Sequence, residues 1–207
     1  LWGAATGIVT GEEKGRRLGI GLILASIPIV IIGLTLGQTV KALLFNDIAI
    51  AIGLIVGGLI IIWVEKNPPV VRAQEVDDLT IKDAVWIGLI QVLSLIPGTS
   101  RSGATIIGAM MLGVSRKAAT EFSFFLGIPV IVGAGLLDLY QSYHVFQGAA
   151  DWAVIAVGLL VSFISALILI RVLVAYVAKR DFMIFAWYRI ASGLVILLFA
   201  FTGWKLW

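Results

Sequence analysis

The 207-residue chain is 60% hydrophobic and 13% charged, against about 45–50% and about 25% in an average soluble domain. That balance excludes a water-soluble fold, and it excludes a disordered chain, which needs low hydrophobicity and high charge. With a net charge of +3, no Cys and a single histidine, His144, the chain also has no thiol redox chemistry, disulfide, Cys-ligated zinc or multi-histidine metal site of its own.

What remains is an all-α polytopic membrane protein, read as one integral membrane domain over 1–207. The basic residues flank apolar runs, so they report topology rather than a nucleic-acid surface. The 23 glycines exceed the average share of about 7%. Small residues let helices approach closely in lipid, within the chain or between copies of it.

In chain order, the first apolar run is 18–36, preceded by Lys14, Arg16 and Arg17 and carrying Pro28. At about 1.5 Å per residue it reaches ~28 Å, enough to span. A second run covers 48–64. The segment 65–83 is polar and holds Pro68, Pro69, Arg72, Asp77 and Asp78, so it reads as a loop. Thr80 followed by Asp83 predicts a capping box that opens a helix. Long runs return at 118–137, 152–178 and 183–204, giving five expected spans. Pro28 and Pro129 are expected to shape their helices.

The interval 84–114 differs. Its arms, 84–96 and 104–112, are each too short to cross a membrane. Gly113 suits a left-handed helix end and Ser115 suits a helix cap. The interval is either one kinked span or a re-entrant hairpin that returns to its own side. Charge decides between them once Arg101, Arg171 and Arg189, all in apolar surroundings, are set aside. A hairpin collects Lys14, Arg16, Arg17, Lys66, Arg72, Lys82, Arg116, Lys117, Lys179 and Arg180 on one side, leaving Lys41 and Lys205 on the other. A single span flips everything downstream and evens the split. Cytoplasmic loops carry the Lys/Arg excess, so the hairpin is expected, with its tip near mid-membrane and the C-terminus outside. Trp63, Trp86, Trp152, Trp204 and Trp207 fall at expected ends, as aromatic belts require.

Between the arms lies Pro97-Gly-Thr-Ser-Arg-Ser-Gly-Ala-Thr105. Thr99, Ser100, Ser102 and Thr105 put four hydroxyls beside Arg101 within seven residues. An Arg deep in a membrane costs at least about 2.5–3.5 kcal/mol. A mere helix break leaves that cost unexplained, whereas a bound anion offsets it. The guanidinium fork matches phosphate oxygens, and the second arm, starting near Gly103, aims its free amides at the same place. Gly98 and Gly103 let backbone approach a ligand closely.

Elsewhere, His144 in a polar outer loop reads as solvated. Glu121 is expected to pair with Lys117 at helical spacing. Arg189 is expected to snorkel outward, a polar contact with the site being the alternative. Arg171 reads as structural and Asp138 as a solvated helix-end group.

The nine residues 97–105 resemble the PGxSRSxxT motif of the undecaprenyl-diphosphate phosphatases, the bacitracin-resistance membrane enzymes. Supporting stretches are Glu121-Phe-Ser-Phe-Phe-Leu-Gly-Ile-Pro129 and Ala186-Trp-Tyr-Arg189. The resemblance implies hydrolysis of undecaprenyl diphosphate to undecaprenyl phosphate and inorganic phosphate. That reaction recycles the lipid carrier for peptidoglycan synthesis and confers bacitracin resistance, with bacitracin competing for the polyprenyl diphosphate among the membrane lipids. It also implies the bacterial plasma (inner) membrane, an active site opening outward, and a divalent cation, Mg2+ or Ca2+.

On this resemblance Arg101 binds the diphosphate and stabilises charge in phosphoryl transfer. Ser100 and Thr105 hold phosphate oxygens. Gly98, Thr99, Ser102 and Gly103 complete the cradle. The family's earlier motif, with two glutamates, serines and a histidine, has no counterpart here, since Glu12 and Glu13 sit in a basic stretch. The resemblance therefore implies that this motif precedes Leu1, that the chain corresponds to about the C-terminal three-quarters of the enzyme, and that alone it is inactive. The rival reading is a transporter of an anionic substrate, because broken helices facing an anion are also a transporter device.

Overall fold

The computed structural model describes residues 13–145 and 148–202. Five of its helices are long and apolar enough to cross a membrane, in agreement with the five expected runs. They are α1 (Glu13–Leu44), α2 (Asp47–Lys66), α5 (Arg116–Ser142), α6 (Ala149–Val177) and α7 (Met183–Thr202). Helix α1 extends beyond its apolar run at both ends, with Glu13 in its first turn and Lys41 in its last, the charges that complement a helix dipole. Asn46 caps α2, its side-chain oxygen accepting from the Ala49 amide at 2.9 Å. Pro28 and Pro129 both lie inside helices.

The remaining two helices, α3 (Ile81–Gln91) and α4 (Arg101–Met111), form the hairpin. The expected capping box opens α3. The Asp83 amide donates to Thr80 Oγ1 at 3.2 Å, and the Thr80 amide donates to Asp83 Oδ2 at 3.0 Å. A 3-10 turn, Val92–Leu95, prolongs this arm. The second arm starts at Arg101, not near Gly103. Ser100 accounts for the difference, because its hydroxyl accepts from the Gly103 amide at 3.1 Å and caps the helix two residues earlier.

Both arms return to one side. Gly113 ends α4 with φ +82°, a left-handed backbone that favours glycine. Its carbonyl then accepts from the amides of Arg72 at 2.8 Å and Ala73 at 3.2 Å. The Ser115 amide donates to Ala73 O at 2.8 Å, and Ala73 and Val114 form a parallel bridge. The exit of the hairpin is thus stitched to the loop that leads into its entry, so 84–114 is re-entrant. Ser115 caps α5 as expected, accepting from the Ala118 amide at 3.2 Å.

Small residues bring the helices together. A Cβ added at Gly88 of α3 would fall 2.6 Å from the Ala25 Cα of α1. Helices α2 and α7 meet antiparallel, Gly58 facing Ala186 and Ile190, and Gly193 facing Ala51 and Ile55. Ile87, Val64, Ala118, Phe122 and Leu126 are buried around the hairpin, and α6 stands at the margin with none of its apolar window buried. Trp63 and Trp152 are exposed near helix ends and Trp86 is exposed midway along α3, while Trp204, Trp207, Lys205 and Glu12 lie outside the described residues.

The charges at the hairpin base are paired. Arg72 grips Asp83 with both terminal nitrogens. Arg116 pairs with Glu65, which also accepts from the Phe182 amide at 3.0 Å. Lys117 pairs with Glu75 at 2.8 Å, not with Glu121 as expected. The loop folds back over the start of α5 and places a carboxylate closer than the one a helical turn away.

Candidate active site

The tip begins with a turn. The Thr99 amide donates to Ile96 O at 3.1 Å, with Pro97 and Gly98 between them and Gly98 at φ +82°. Proline fixes the first inner position of such a type II turn, and the positive φ asks for glycine at the second. Gly98 is required twice, because an added Cβ would also collide with the Ile50 carbonyl of α2. An added Cβ at Gly53 would meet Pro97 O at 2.6 Å. The tip is therefore seated against Ile50 and Gly53, about 20 Å along α2 from Lys66. That is past the midpoint of α2, because the arm starts at Ile81 and its 3-10 turn rises about 2.0 Å per residue.

Around this turn the chain presents donors. Gly98, Thr99, Ser100, Arg101, Ser102 and Gly103 are all partly exposed. The amides of Ser100, Arg101 and Ser102 have no partner among the described residues, as expected at a helix start. The hydroxyls of Ser100 and Ser102 lie 3.3 Å apart. Ser100 Oγ accepts from Gly103 and keeps its own proton to donate.

Arg101 leans back toward the first arm. Its Nε donates to Gln91 Oε1 at 2.8 Å. The guanidinium lies on the bare Cα of Gly127 in α5, where a Cβ would stand 2.7 Å from Nη1. Its Nη2 is buried without a partner among the described residues.

Thr105 is placed differently from its expected role. It is fully buried, its hydroxyl donating to Arg101 O at 3.0 Å and lying 2.6 Å from Ser123 Oγ of α5. The spacing that brings Thr105 one turn after Arg101 turns it toward α5, so it fastens the arm and has no free face for a phosphate oxygen.

Arg189 does not snorkel. It reaches across the seat left by Gly57 and donates from Nη2 to Gly98 O at 3.0 Å and Gly53 O at 3.2 Å. Two backbone carbonyls at the tip hold it in place of the interface, and Arg189 clamps the turn onto α2. Its Nε is buried without a partner among the described residues. Neither Arg101 nor Arg189 has a carboxylate partner among the described residues.

Glu121 is partly buried and Asp138 and Arg171 are exposed. His144 is exposed in a 3-10 turn, edge-on to Tyr143 at 5.9 Å, so the structure leaves it away from the tip. Sequence reading passed over Gln91 and Ser123. Gln91 had a signal, as the one amide in an apolar arm; Ser123 had none.

A guanidinium, hydroxyls and free amides suit an oxyanion. A divalent cation wants carboxylate or carbonyl oxygen ligands. No carboxylate or imidazole joins the tip, and no group of three or more His, Cys, Asp or Glu gathers anywhere among the described residues. The described residues at the tip do not fit such an ion.

The family described as bacitracin resistance protein BacA matches residues 1–195. An undecaprenyl-diphosphatase 1 of Acinetobacter baylyi is 78% identical over 207 residues, 100% of this chain and 76% of that protein. An undecaprenyl-diphosphatase of Psychrobacter cryohalolentis is 55% identical over 204 residues, 97% of this chain and 73% of that protein. One of Variovorax paradoxus is 49% identical over 197 residues, covering 95% and 72%.

Proposed function

The chain belongs to the bacitracin resistance protein BacA family, and from that premise we propose that it hydrolyses undecaprenyl diphosphate to undecaprenyl phosphate and inorganic phosphate at the hairpin tip. A nucleophilic oxygen attacks the terminal phosphorus, the bond to the bridging oxygen breaks, and undecaprenyl phosphate leaves with that oxygen. The residues here bind and neutralise. Arg101 grips the phosphoryl oxygens as charge spreads over them. The Ser100, Arg101 and Ser102 amides and the Ser100 and Ser102 hydroxyls complete the cradle. The turn at Thr99, Gly98 and Gly103 sets its shape. Thr105 holds the arm against α5.

The observation that carries this reading is a buried guanidinium nitrogen that, among the described residues, has no partner and no carboxylate near, at a helix start with free amides. Such a charge at membrane depth calls for an anion. The relatives are named diphosphatases, which favours hydrolysis over anion transport. The same reading places the protein in the bacterial plasma membrane, with the Lys/Arg-rich side cytoplasmic and the tip opening outward. The lipid substrate enters from the membrane, and bacitracin competes for it.

The test is phosphate release from undecaprenyl diphosphate in detergent micelles by the full-length protein and its Arg101→Ala variant. Release that disappears in the folded variant supports the assignment. Release that survives in it removes the site from this tip.

A further inference from the structure

Gln91 is fully buried at the end of α3, ten residues before Arg101 and on the opposite arm. We propose that it is a positioning residue for Arg101, an inference that rests on the diphosphatase reading of the tip. A guanidinium has only donors, so the amide must turn its oxygen to Arg101 Nε. Gln91 Nε2 is then left as a buried donor, with no partner among the described residues. The contact ties the two arms together across the tip.

It also chooses the edge of the fork. With Nε engaged by Gln91, the side-on edge of Arg101 is closed to a second acceptor. The end-on edge, Nη1 and Nη2, keeps no hydrogen-bond partner among the described residues, and the missing side chain of Gly127 gives Nη1 the room it occupies. A neutral amide does this without quenching the charge. A carboxylate in the same place would pair with Arg101 and repel the substrate. The helix α3 pattern needs no polar residue here for its own sake, because Ile87 and Gly88 on the same arm are buried with apolar or bare surfaces.

Two substitutions of the full-length protein test this, read by phosphate release and by thermal melting in detergent. Gln91→Glu is expected to lower kcat/KM by at least about a hundredfold while the melting temperature is retained or raised, a split that a purely structural glutamine does not produce. Gln91→Met, which leaves Nε free, is expected to lower kcat/KM by about tenfold to a hundredfold, the range of a hydrogen bond to a charged group.

Gln91→Met is repeated in the Arg101→Lys background, where no Nε remains to be held. There it is expected to add no further loss. Activity within twofold of wild type in both single variants overturns the proposal, as does a loss repeated in full in the Arg101→Lys background or a loss that only tracks a fallen melting temperature. Activity surviving in Arg101→Ala overturns the proposal too, but through the tip assignment beneath it, which separates the two failures.

Discussion

The two ends of the re-entrant hairpin treat charge in opposite ways. At the base, Arg72, Arg116 and Lys117 each meet a carboxylate, and the backbone of the exit is bonded to the backbone of the entry. At the tip, Arg101 and Arg189 meet only carbonyl or amide oxygens, and each keeps a buried nitrogen unpartnered among the described residues. Both ends belong to one short element and are built from the same residue types. Cations that are paired hold a fold. Cations that the fold leaves unpaired, in surroundings where that is costly, are there for something that arrives.

The contrast breaks first at Arg101. Arg101→Ala is expected to cut phosphate release by about a thousandfold or more with little change in melting, and Arg101→Lys to lose most of it, since a point charge does not replace the fork. Arg189→Met comes next. Freed of its clamp, the Pro97-Gly98 turn loses the hydrogen bond to Gly98 O and its tie to Gly53 O of α2, and a rate loss of about tenfold to a hundredfold is expected, read in the same assay.

At the base the sign reverses, stability falling and chemistry persisting. Glu65→Gln is expected to cost about 1–3 kcal/mol, seen as a lower melting temperature with kcat unchanged in the folded fraction. A cost to kcat equal to that of Arg189→Met would erase the distinction between the two ends.

A smaller effect comes from acid. Burial pushes the Asp83 carboxyl up, but the Arg72 guanidinium and the Thr80 hydroxyl and amide outweigh it and hold it below the usual carboxylate range. Its folded value is lower than its unfolded one, so its contribution is complete above about pH 4. It is lost as pH falls through the lowered value. Melting of the wild type is expected to drop on acidification below about pH 4, and that of Asp83→Asn, already lower by about 1–2 kcal/mol, to drop less. Smallest of all is Arg171→Leu on exposed α6, expected within about 0.5 kcal/mol with activity unchanged.

Much of this was legible in the residues. Apolar runs long enough to span became helices because lipid leaves the backbone no other partner, and the charge count distinguished a hairpin from a span before any contact was known. Thr80, Asp83, Gly113 and Ser115 act locally, so they were readable locally. The tip was readable as a cluster because its members are consecutive.

What failed was tertiary. Glu121 and Lys117 have helical spacing, but Glu75 comes closer from another segment. Arg189 has an interface within reach of a long side chain, yet two carbonyls contributed by α2 and the tip hold it more specifically. Thr105 shares the motif's sequence, but the period of the helix turns it away from the cradle. Gln91 went unread because its partner lies across a turn whose geometry no spacing reveals.

The stitched base has a consequence for parity. A hairpin that leaves by the face it entered adds no crossing, so the number of membrane passes before α5 is the same with it or without it. Since Ala73 and Val114 lie side by side, a short linker could replace 81–112 outright. A compartment reporter placed after α6 would then keep its side of the membrane although the hairpin tip was gone. The orientation of the protein and its chemistry are, in that sense, written in separable parts of the chain.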